Sequence, residues 1–220
     1  GSILTGADIA DGSISTAKLA DTAVSTAKIA DNAIVTGKIT DGTIATADIA
    51  NSAVTSIKTS GVGITNADQF RLTSNFTGDA QPITSNLSRV SEVGAAGGAL
   101  GSQMAVSSGI FTFPSTGIYL VEFVSQATWT STSFFHTASI QVTTNNSSYT
   151  SRGEGDLAVT MGADSGTWYQ SNYISFLLDV TDTANVKVRF GIDAYSGSVT
   201  TRGNTNTNLT YMTFTRLGDT

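Results

Sequence analysis

The sequence predicts an all-β chain in two parts, a fibrous repeat over residues 1–60 and a globular sheet domain over residues 69–220, joined by residues 61–68. A decapeptide recurs with little drift over residues 11–50, and short periods of this kind signal elongated repeat structures. From about Gln69, strand-like segments of alternating polarity are separated by Gly, Asn, Ser and Thr. Only 2 of 220 residues are Pro and 22 are Gly, a composition typical of β structure with many turns.

The repeat places a large apolar residue at every fifth position. A five-residue step rotates an α-helix by about 140°, which scatters these side chains around its axis. In a strand, the odd step puts successive apolar residues on opposite faces. The chain must therefore bend at least once per repeat, and turn residues recur in phase at 11–12, 31–32, 41–42 and 51–52. The apolar positions are Leu4, Ile9, Ile14, Leu19, Val24, Ile29, Ile34, Ile39, Ile44, Ile49 and Val54.

Ten residues are too few for one chain to wrap a complete coil around its own core. We therefore expect a homotrimeric β-coil, in which three chains each form part of the wall. The alternative is a single-chain pentapeptide-repeat coil, which the small residues two positions before many apolar ones favour, such as Ala17 and Ala27. The Asp or Asn that usually precedes the central residue of such repeats is missing.

Charged residues also recur in phase along the repeat. Solvated surface charge is the favoured interpretation, and rungs of Lys–Asp pairs, each contributing at most ~1 kcal/mol at an exposed site, are the alternative. The lysines are Lys18, Lys28, Lys38 and Lys58, and the aspartates are Asp11, Asp21, Asp31 and Asp41.

With its units such as Leu19-Ala-Asp-Thr-Ala-Val24-Ser-Thr-Ala-Lys28, the repeat resembles the decapeptide arrays of bacteriophage tail fibres. The resemblance covers about a quarter of the chain. It implies a viral fibre protein, located in the virion and acting outside the cell. Gly1 and Ser2 are typical of a cloning scar, so we expect the chain to be a piece of a longer protein.

The strongest local signal in the second part is the segment 109–123. Its aromatic residues alternate with smaller ones on both sides of a turn at residues 114–117, which has Pro early and Gly at its end. This pattern predicts a hairpin with one buried, aromatic side. The residues expected in the core are Phe111, Phe113, Tyr119, Val121 and Phe123.

This segment also resembles the signature of the globular heads of complement's first component, G-x-F-x-x-P-x-x-G-x-Y-x-F-x-F in outline, with Val121 replacing one common aromatic residue. Those heads belong to the tumour necrosis factor (TNF) superfamily. The resemblance implies a TNF-like ten-strand jelly-roll sandwich, compact homotrimers and ligand binding by exposed loops. The later strand-like segments 139–142, 173–180, 186–192 and 209–214 agree with the order of strands that it implies.

The sequence offers little for catalysis. His136 is the single histidine, which excludes a multi-His metal site within one chain, and its place beside Phe134 and Phe135 favours a structural role. No G-x-S-x-G elbow, P-loop or dinucleotide fingerprint is present, so we expect no enzyme activity and no cofactor. Acidic residues near 152–156 and at 179 and 182 leave calcium open, although no EF-hand spacing is present.

Binding partners are constrained by charge and by aromatic residues. The net charge of -6 argues against nucleic acid, and no apolar run approaches the ~20 residues that insert across a bilayer. Trp129, Trp168, Tyr169 and Tyr149 lie near predicted strand ends. Exposed aromatic side chains stack on sugar faces and anchor partners, so these four are the candidate receptor-binding residues, with packing as the alternative.

A shaft followed by a trimeric head is typical of an adhesive fibre. We expect the distal receptor-binding module of a phage tail fibre, adhering to a glycan or an outer-membrane protein on the host surface. The alternatives are a structural surface or spore-coat filament with a trimerising head, and a capsule depolymerase, for which the sequence shows no acid pair.

Overall fold

The structure, a computed structural model, describes residues 9–51, 53–54, 63–91, 99–130, 134–159, 166–194 and 199–220. The chain divides into two compact units, Gly1–Lys58 and Thr59–Thr220. The repeat positions Leu4 and Lys58 lie outside the described residues. Within the described ranges, no helix has the length and apolar character needed to cross a membrane.

The first unit contains a tight turn at the start of every decapeptide. The N–H of Ser13 donates to the carbonyl of Ala10 at 3.0 Å, and the same bond recurs at 20–23, 30–33, 40–43 and 50–53. The third residue of the turn has a φ between 65° and 80° in the four repeats from residue 11 to residue 50, which is the geometry of a type II turn. The turns predicted in phase along the repeat are therefore present. The residues with positive φ are Gly12, Thr22, Asn32 and Gly42.

A second turn follows five residues later, and the sequence did not predict it. The segments Thr16–Lys18, Thr26–Lys28, Thr36–Lys38 and Thr46–Asp48 each form a single 3-10 turn. The ammonium groups of Lys18 and Lys28 each donate to a backbone carbonyl five residues earlier, at 2.7 Å. No ion pair joins a lysine to an aspartate within residues 9–51, so the Lys–Asp rungs are not formed within one chain.

The residues between the turns are extended, but residues 9–51 contain no strand. Each apolar side chain of the repeat from residue 9 to residue 54 is 42–57% exposed. A single-chain coil would bury these side chains in its own interior, and the described repeat does not. The β-coil expected from the sequence is likewise not closed by one chain alone.

The second unit consists of two antiparallel sheets. One contains the strands β3-β1-β13-β7-β10 in that order, with three two-residue strands (β2, β4 and β12) added to it; the other has the order β5-β6-β11-β8-β9. The expected all-β sandwich is confirmed, and the described residues form thirteen strands, ten of them with three or more residues. The bounds are β1 Ala67–Leu72, β2 Phe76–Thr77, β3 Leu87–Arg89, β4 Ala99–Leu100, β5 Ala105–Ser107, β6 Ile110–Thr112, β7 Gly117–Trp129, β8 Phe134–Thr143, β9 Thr150–Val159, β10 Trp168–Val180, β11 Lys187–Ala194, β12 Thr200–Thr201 and β13 Tyr211–Gly218.

The hairpin predicted for residues 109–123 is wrong. Strand β6 pairs with β5 and β11 in the second sheet, whereas β7 pairs with β10 and β13 in the first. Residues 113–116 therefore cross between the sheets. Alternation shows which side of a strand is buried but not which strand lies beside it. The expected core residues are confirmed, because all five are at most 2% exposed.

Aromatic rings from both sheets meet in the core. The ring centroid of Phe111 lies 5.1 Å from that of Phe70, 5.4 Å from that of Phe190 and 5.1 Å from that of Phe214. Phe111 and Phe190 belong to the second sheet, and Phe70 and Phe214 belong to the first. Edge-to-face and tilted pairs at these separations stabilise the packing of one sheet on the other.

Strands β9 and β10 come close together along one side of the sandwich, and a glycine makes this possible. A Cβ atom at Gly155 would lie 2.4 Å from Oδ1 of Asn172 and 2.7 Å from Cγ2 of Ile174. The side-chain amide of buried Asn172 donates to the carbonyl of Gly155. This contact joins β9 to the middle of β10.

A buried ion pair fastens the segment after β4 to the first sheet. Asp68 is 3% exposed and accepts from Nε of Arg89 at 2.9 Å and from the N–H of Met104 at 2.9 Å. Arg89 also donates to the carbonyl of Met104. Each polar group of the pair is satisfied, which a buried charge requires.

Replacement of Arg89 by Met is expected to lower the free energy of unfolding of the second unit by about 3 kcal/mol, because the buried Asp68 carboxylate loses its counter-charge. Chemical denaturation followed by tryptophan fluorescence measures the change. The Asp68→Asn/Arg89→Met double variant should recover part of the loss, and exposed Arg152→Met should cost little. A loss for Arg89→Met no larger than that for Arg152→Met would contradict the assignment.

Candidate receptor-binding surfaces

The outer face of the first sheet carries an apolar patch, defined here by Leu120, Val124, Tyr173, Leu177 and Tyr211. Tyr173 and Leu177 on β10 are 59% and 60% exposed, and the other three are half-buried. In the strand register, Tyr173 and Tyr211 both lie opposite Val124, and Leu177 lies opposite Leu120. These residues therefore form two rows on the outer face, one across β10, β7 and β13 and one across β10 and β7, with the row of Glu122 between them.

One carboxylate lies within the apolar patch. The hydroxyl of Tyr173 donates to Oε1 of Glu122 at 2.7 Å, and this bond raises the pKa of Tyr173. Glu122 is half-buried on the outer face. The bond gives the carboxylate a hydrogen-bond donor within the same chain but no counter-charge.

Phe176, although it lies on β10 between Tyr173 and Leu177, faces the core and packs against it. In β10, Tyr173 and Leu177 therefore face outward, whereas Phe176, one residue before Leu177, faces inward.

Three of the four candidate receptor-binding residues come together at one end of the first sheet. Trp168 lies opposite Trp129, and Tyr169 lies opposite Thr128, in the pairing of β10 with β7. Trp168 and Tyr169 are 42% and 58% exposed, whereas Trp129 is buried. Trp168 and Tyr169 therefore provide the accessible rings, but on opposite faces of the sheet, because Trp168 shares the inner face with Trp129 and Tyr169 lies on the outer face.

Three polar residues that sequence reasoning missed complete this end. The guanidinium of Arg202 lies over the ring of Tyr169, 4.7 Å from its centroid, and donates to Oε1 of Gln126. Gln126 in turn donates from Nε2 to Oγ of Ser171 at 3.3 Å. Arg202 is 33 residues from Tyr169 in sequence, and no local pattern relates them, so only the fold reveals the cluster.

Tyr149 lies elsewhere, beside the second sheet next to the turn that joins β8 to β9. The guanidinium of Arg189 lies over its ring at 4.1 Å, and Arg189 also donates to Gln141 at 2.7 Å. Tyr149 is half-buried, and burial raises its pKa. The structure therefore does not bring Tyr149 together with the other three candidates.

The acidic candidates do not converge. Arg152, Glu154 and Asp156 are exposed in strand β9, not in a loop as expected. Asp182 accepts hydrogen bonds from the N–H of Ala184 and the side chain of Asn185, which lower its pKa and tie it to a turn. Among the described residues, no group of three or more His, Asp or Glu side chains could hold a metal ion.

His136 is a core residue. It is 1% exposed, its Nε2 lies 3.1 Å from Oγ1 of Thr201, and its Nδ1 has no partner among the described residues. Burial lowers its pKa from 6.5 to about 4. The imidazole is therefore neutral at physiological pH and links β8 to β12.

Comparisons with known proteins identify the fold of the head. No protein-family model matches the chain, and no curated protein matches it. Among solved structures, Eiger TNF from S. frugiperda aligns with 70% of this chain and 93% of its own at 11% identity and a TM-score of 0.50. Murine APRIL at pH 8.5 aligns with 69% of this chain and 98% of its own at 12% identity and a TM-score of 0.47. The similarity to Eiger TNF supports a TNF-like jelly roll.

The buried imidazole predicts a pH dependence. The unfolded chain binds a proton at His136 below its ordinary pKa of 6.5, and the folded chain does so only near 4. The stabilisation of the folded chain by the neutral imidazole is complete above pH 6.5, falls as the pH drops, and is lost below about pH 4. The free energy of unfolding changes by about 3 kcal/mol over this range. Denaturation of wild type and His136→Gln at pH 7.5, 5.5 and 4.5 measures it. Parallel pH profiles for the two proteins would contradict the prediction.

Proposed function

We propose that the chain is the distal, homotrimeric receptor-binding part of a phage tail fibre, in which a three-chain shaft carries a TNF-like head that adheres to the host surface. The observation that carries this proposal is the exposure of every apolar side chain in the repeat from residue 9 to residue 54. Such a protein acts as part of the virion, outside the cell.

The shaft argument rests on the geometry of the repeat. Its backbone is ordered by two hydrogen-bonded turns in every ten residues, yet its apolar side chains have no cover from their own chain. Full burial of an aliphatic side chain contributes about 1.5–3 kcal/mol, so covering the exposed half of each contributes about 1 kcal/mol per position. Another copy of the same chain has apolar residues at the same five-residue spacing, so it can cover these positions in register. A homotrimeric β-coil is the assembly that covers all of these positions.

An open cup in the repeat supports this assembly. A cavity of about 440 Å³ is lined by Ile34, Ile39 and Ile44 together with residues of the intervening turns. Its lining is mixed, because Thr36, Thr40 and Asp41 lie beside the isoleucines, and it opens to solvent. Several side chains of a neighbouring copy in register, apolar and polar together, would fill a cup of this size.

The head presents a second surface of the same kind. The apolar patch on the outer face of the first sheet exposes Tyr173 and Leu177 and has hydroxyl groups beside it. Aromatic and aliphatic residues of this kind are enriched where subunits meet. The resemblance to heads of the TNF superfamily implies homotrimers, and the patch gives the face through which we propose that they form.

A trimeric head multiplies weak contacts with a surface. Three linked sites bind with an avidity above the affinity of each site alone, which suits reversible contact with a host cell. Trp168 and Tyr169 are the proposed contact residues, and a host glycan or outer-membrane protein is the proposed receptor. Binding, not catalysis, is the proposed activity, with neither nucleic acid nor membrane insertion involved.

Light scattering after size exclusion tests the assembly. Wild type should have three times the mass of one chain, and Leu177→Glu should weaken or abolish the trimer of heads, because it places a charge in each of three buried patches. Ala158→Glu, on an exposed position of β9, is the matched control and should leave the mass unchanged. A monomeric wild type would contradict the trimer.

Adsorption to cells separates the receptor-binding fibre from the structural filament. A fluorescent full-length chain should bind one bacterial strain among a panel and lose binding when Trp168 and Tyr169 are replaced by Ala. Assembly into filaments without binding to any strain would favour the structural surface or spore-coat filament, and release of sugar ends from capsule would favour the depolymerase.

A further inference from the structure

Arg202 is held in a fixed orientation at the end of the first sheet. Its backbone N–H donates to the carbonyl of Gln126 at 2.8 Å, and its side chain donates to the side-chain amide of the same residue. The Tyr169 ring lies against one face of the guanidinium. Anchoring at both backbone and side chain leaves the group little rotamer freedom, so a ligand would meet a preorganised cation.

The charge of Arg202 has no counter-charge within the part of the chain that the structure describes. Among the described residues, the ion pairs join Arg89 to Asp68 and Arg216 to Asp219, and no carboxylate pairs with Arg202. The hydrogen bond to Gln126 uses one of the five N–H groups of the guanidinium. The remaining donors form a fork that matches a carboxylate or a phosphate.

The surroundings of Arg202 suit a sugar. Tyr169 is 58% exposed, and Ser171, on the same outer face, is also exposed. Exposed aromatic rings stack on sugar faces, while amide and hydroxyl groups bind sugar hydroxyls. Gln126 and Ser171 provide both kinds of polar group within one hydrogen-bonded row.

We propose that Gln126, Tyr169, Ser171 and Arg202 form a site for an acidic saccharide, in which Arg202 binds a carboxylate or phosphate and Tyr169 contacts the sugar ring. The proposal rests on the receptor-binding role proposed above and names the chemical class of the receptor. The charged group and the sugar ring are both required, so a neutral glycan and a simple anion each satisfy only half of the site.

The saccharide site and the apolar patch are separate along the same strand. Tyr173 and Leu177 follow Tyr169 by four and eight residues, which corresponds to about 13 and 26 Å at 3.3 Å per residue in a strand. Subunit contacts at the patch therefore leave room for a ligand at the Tyr169 end.

An array of bacterial polysaccharides tests the proposal with the full-length chain. Uronate-containing polymers are printed beside their carboxyl-reduced forms, and phosphate-bearing polymers beside their dephosphorylated forms. The wild type should bind acidic forms and not their neutral counterparts, and the polymer class that it binds distinguishes a carboxylate from a phosphate. Equal binding to acidic and neutral forms, or no binding to any acidic polymer, would overturn the proposal.

Three variants assign the effect to Arg202. Arg202→Gln should weaken binding at least about tenfold, because a charge-assisted pair is lost. Arg202→Lys should also weaken it, because lysine keeps the charge but lacks the planar fork. Arg152→Gln removes the same charge from exposed β9 and should bind as the wild type does. Equal losses for Arg152→Gln and Arg202→Gln would show a nonspecific charge effect and overturn the site.

The mass of each protein separates this proposal from the trimer. If Arg202→Gln becomes monomeric while the wild type is a trimer, Arg202 belongs to the subunit contact and the saccharide site is overturned. If the wild type is a monomer but binds acidic saccharides through Arg202, the site stands and the trimer fails. Each variant should have the same midpoint of thermal unfolding as the wild type. A loss of binding then reflects the site and not a loss of folding.

Discussion

A decapeptide that contains two tight turns leaves no continuous strand with which to cover its own apolar side chains. In the shaft, one turn closes at Ser13 and the next at Lys18, and the pattern repeats every ten residues. Each intervening Ile, Leu or Val therefore remains about half exposed. The head differs because its long strands bury alternate residues against a second sheet. Similar apolar residues are thus buried within one chain in the sandwich and remain partly exposed in the repeat.

The pairing of β7 with β10 connects the fold of the head to its proposed activity. Both strands are thirteen residues long, and their inner residues fill the core shared with the second sheet. Their outer residues are apolar around Tyr173 and become polar towards Tyr169 and Arg202. One pair of strands therefore presents a surface suited to other subunits and a surface suited to a ligand. Separation along the strands allows both contacts in the same assembly.

The sequence was informative where the signal is local. Periodicity located the turns at Gly12 and Gly42, and alternation located the core residues Phe111 and Phe123. It failed where the answer depends on distant residues. Alternation cannot tell whether β6 pairs with β7 or faces it across the core, and nothing near Arg202 indicates that its guanidinium lies on Tyr169. The 3-10 turn at residues 16–18 was missed because Thr-Ala-Lys carries no Gly, Pro or Asn.

Cysteine cross-linking tests most directly the claim that copies of this chain cover the shaft. The chain has no cysteine, so Ile34→Cys introduces a single thiol among the apolar positions, and Asp31→Cys places one at a polar position of the same repeat. Three chains in register bring their copies of position 34 together, so mild oxidation should give rapid disulfide-linked dimers from Ile34→Cys at a rate independent of protein concentration. Asp31→Cys should react slowly. Equal rates for the two variants, or a rate for Ile34→Cys that falls on dilution, would contradict a shaft closed by copies of the same chain.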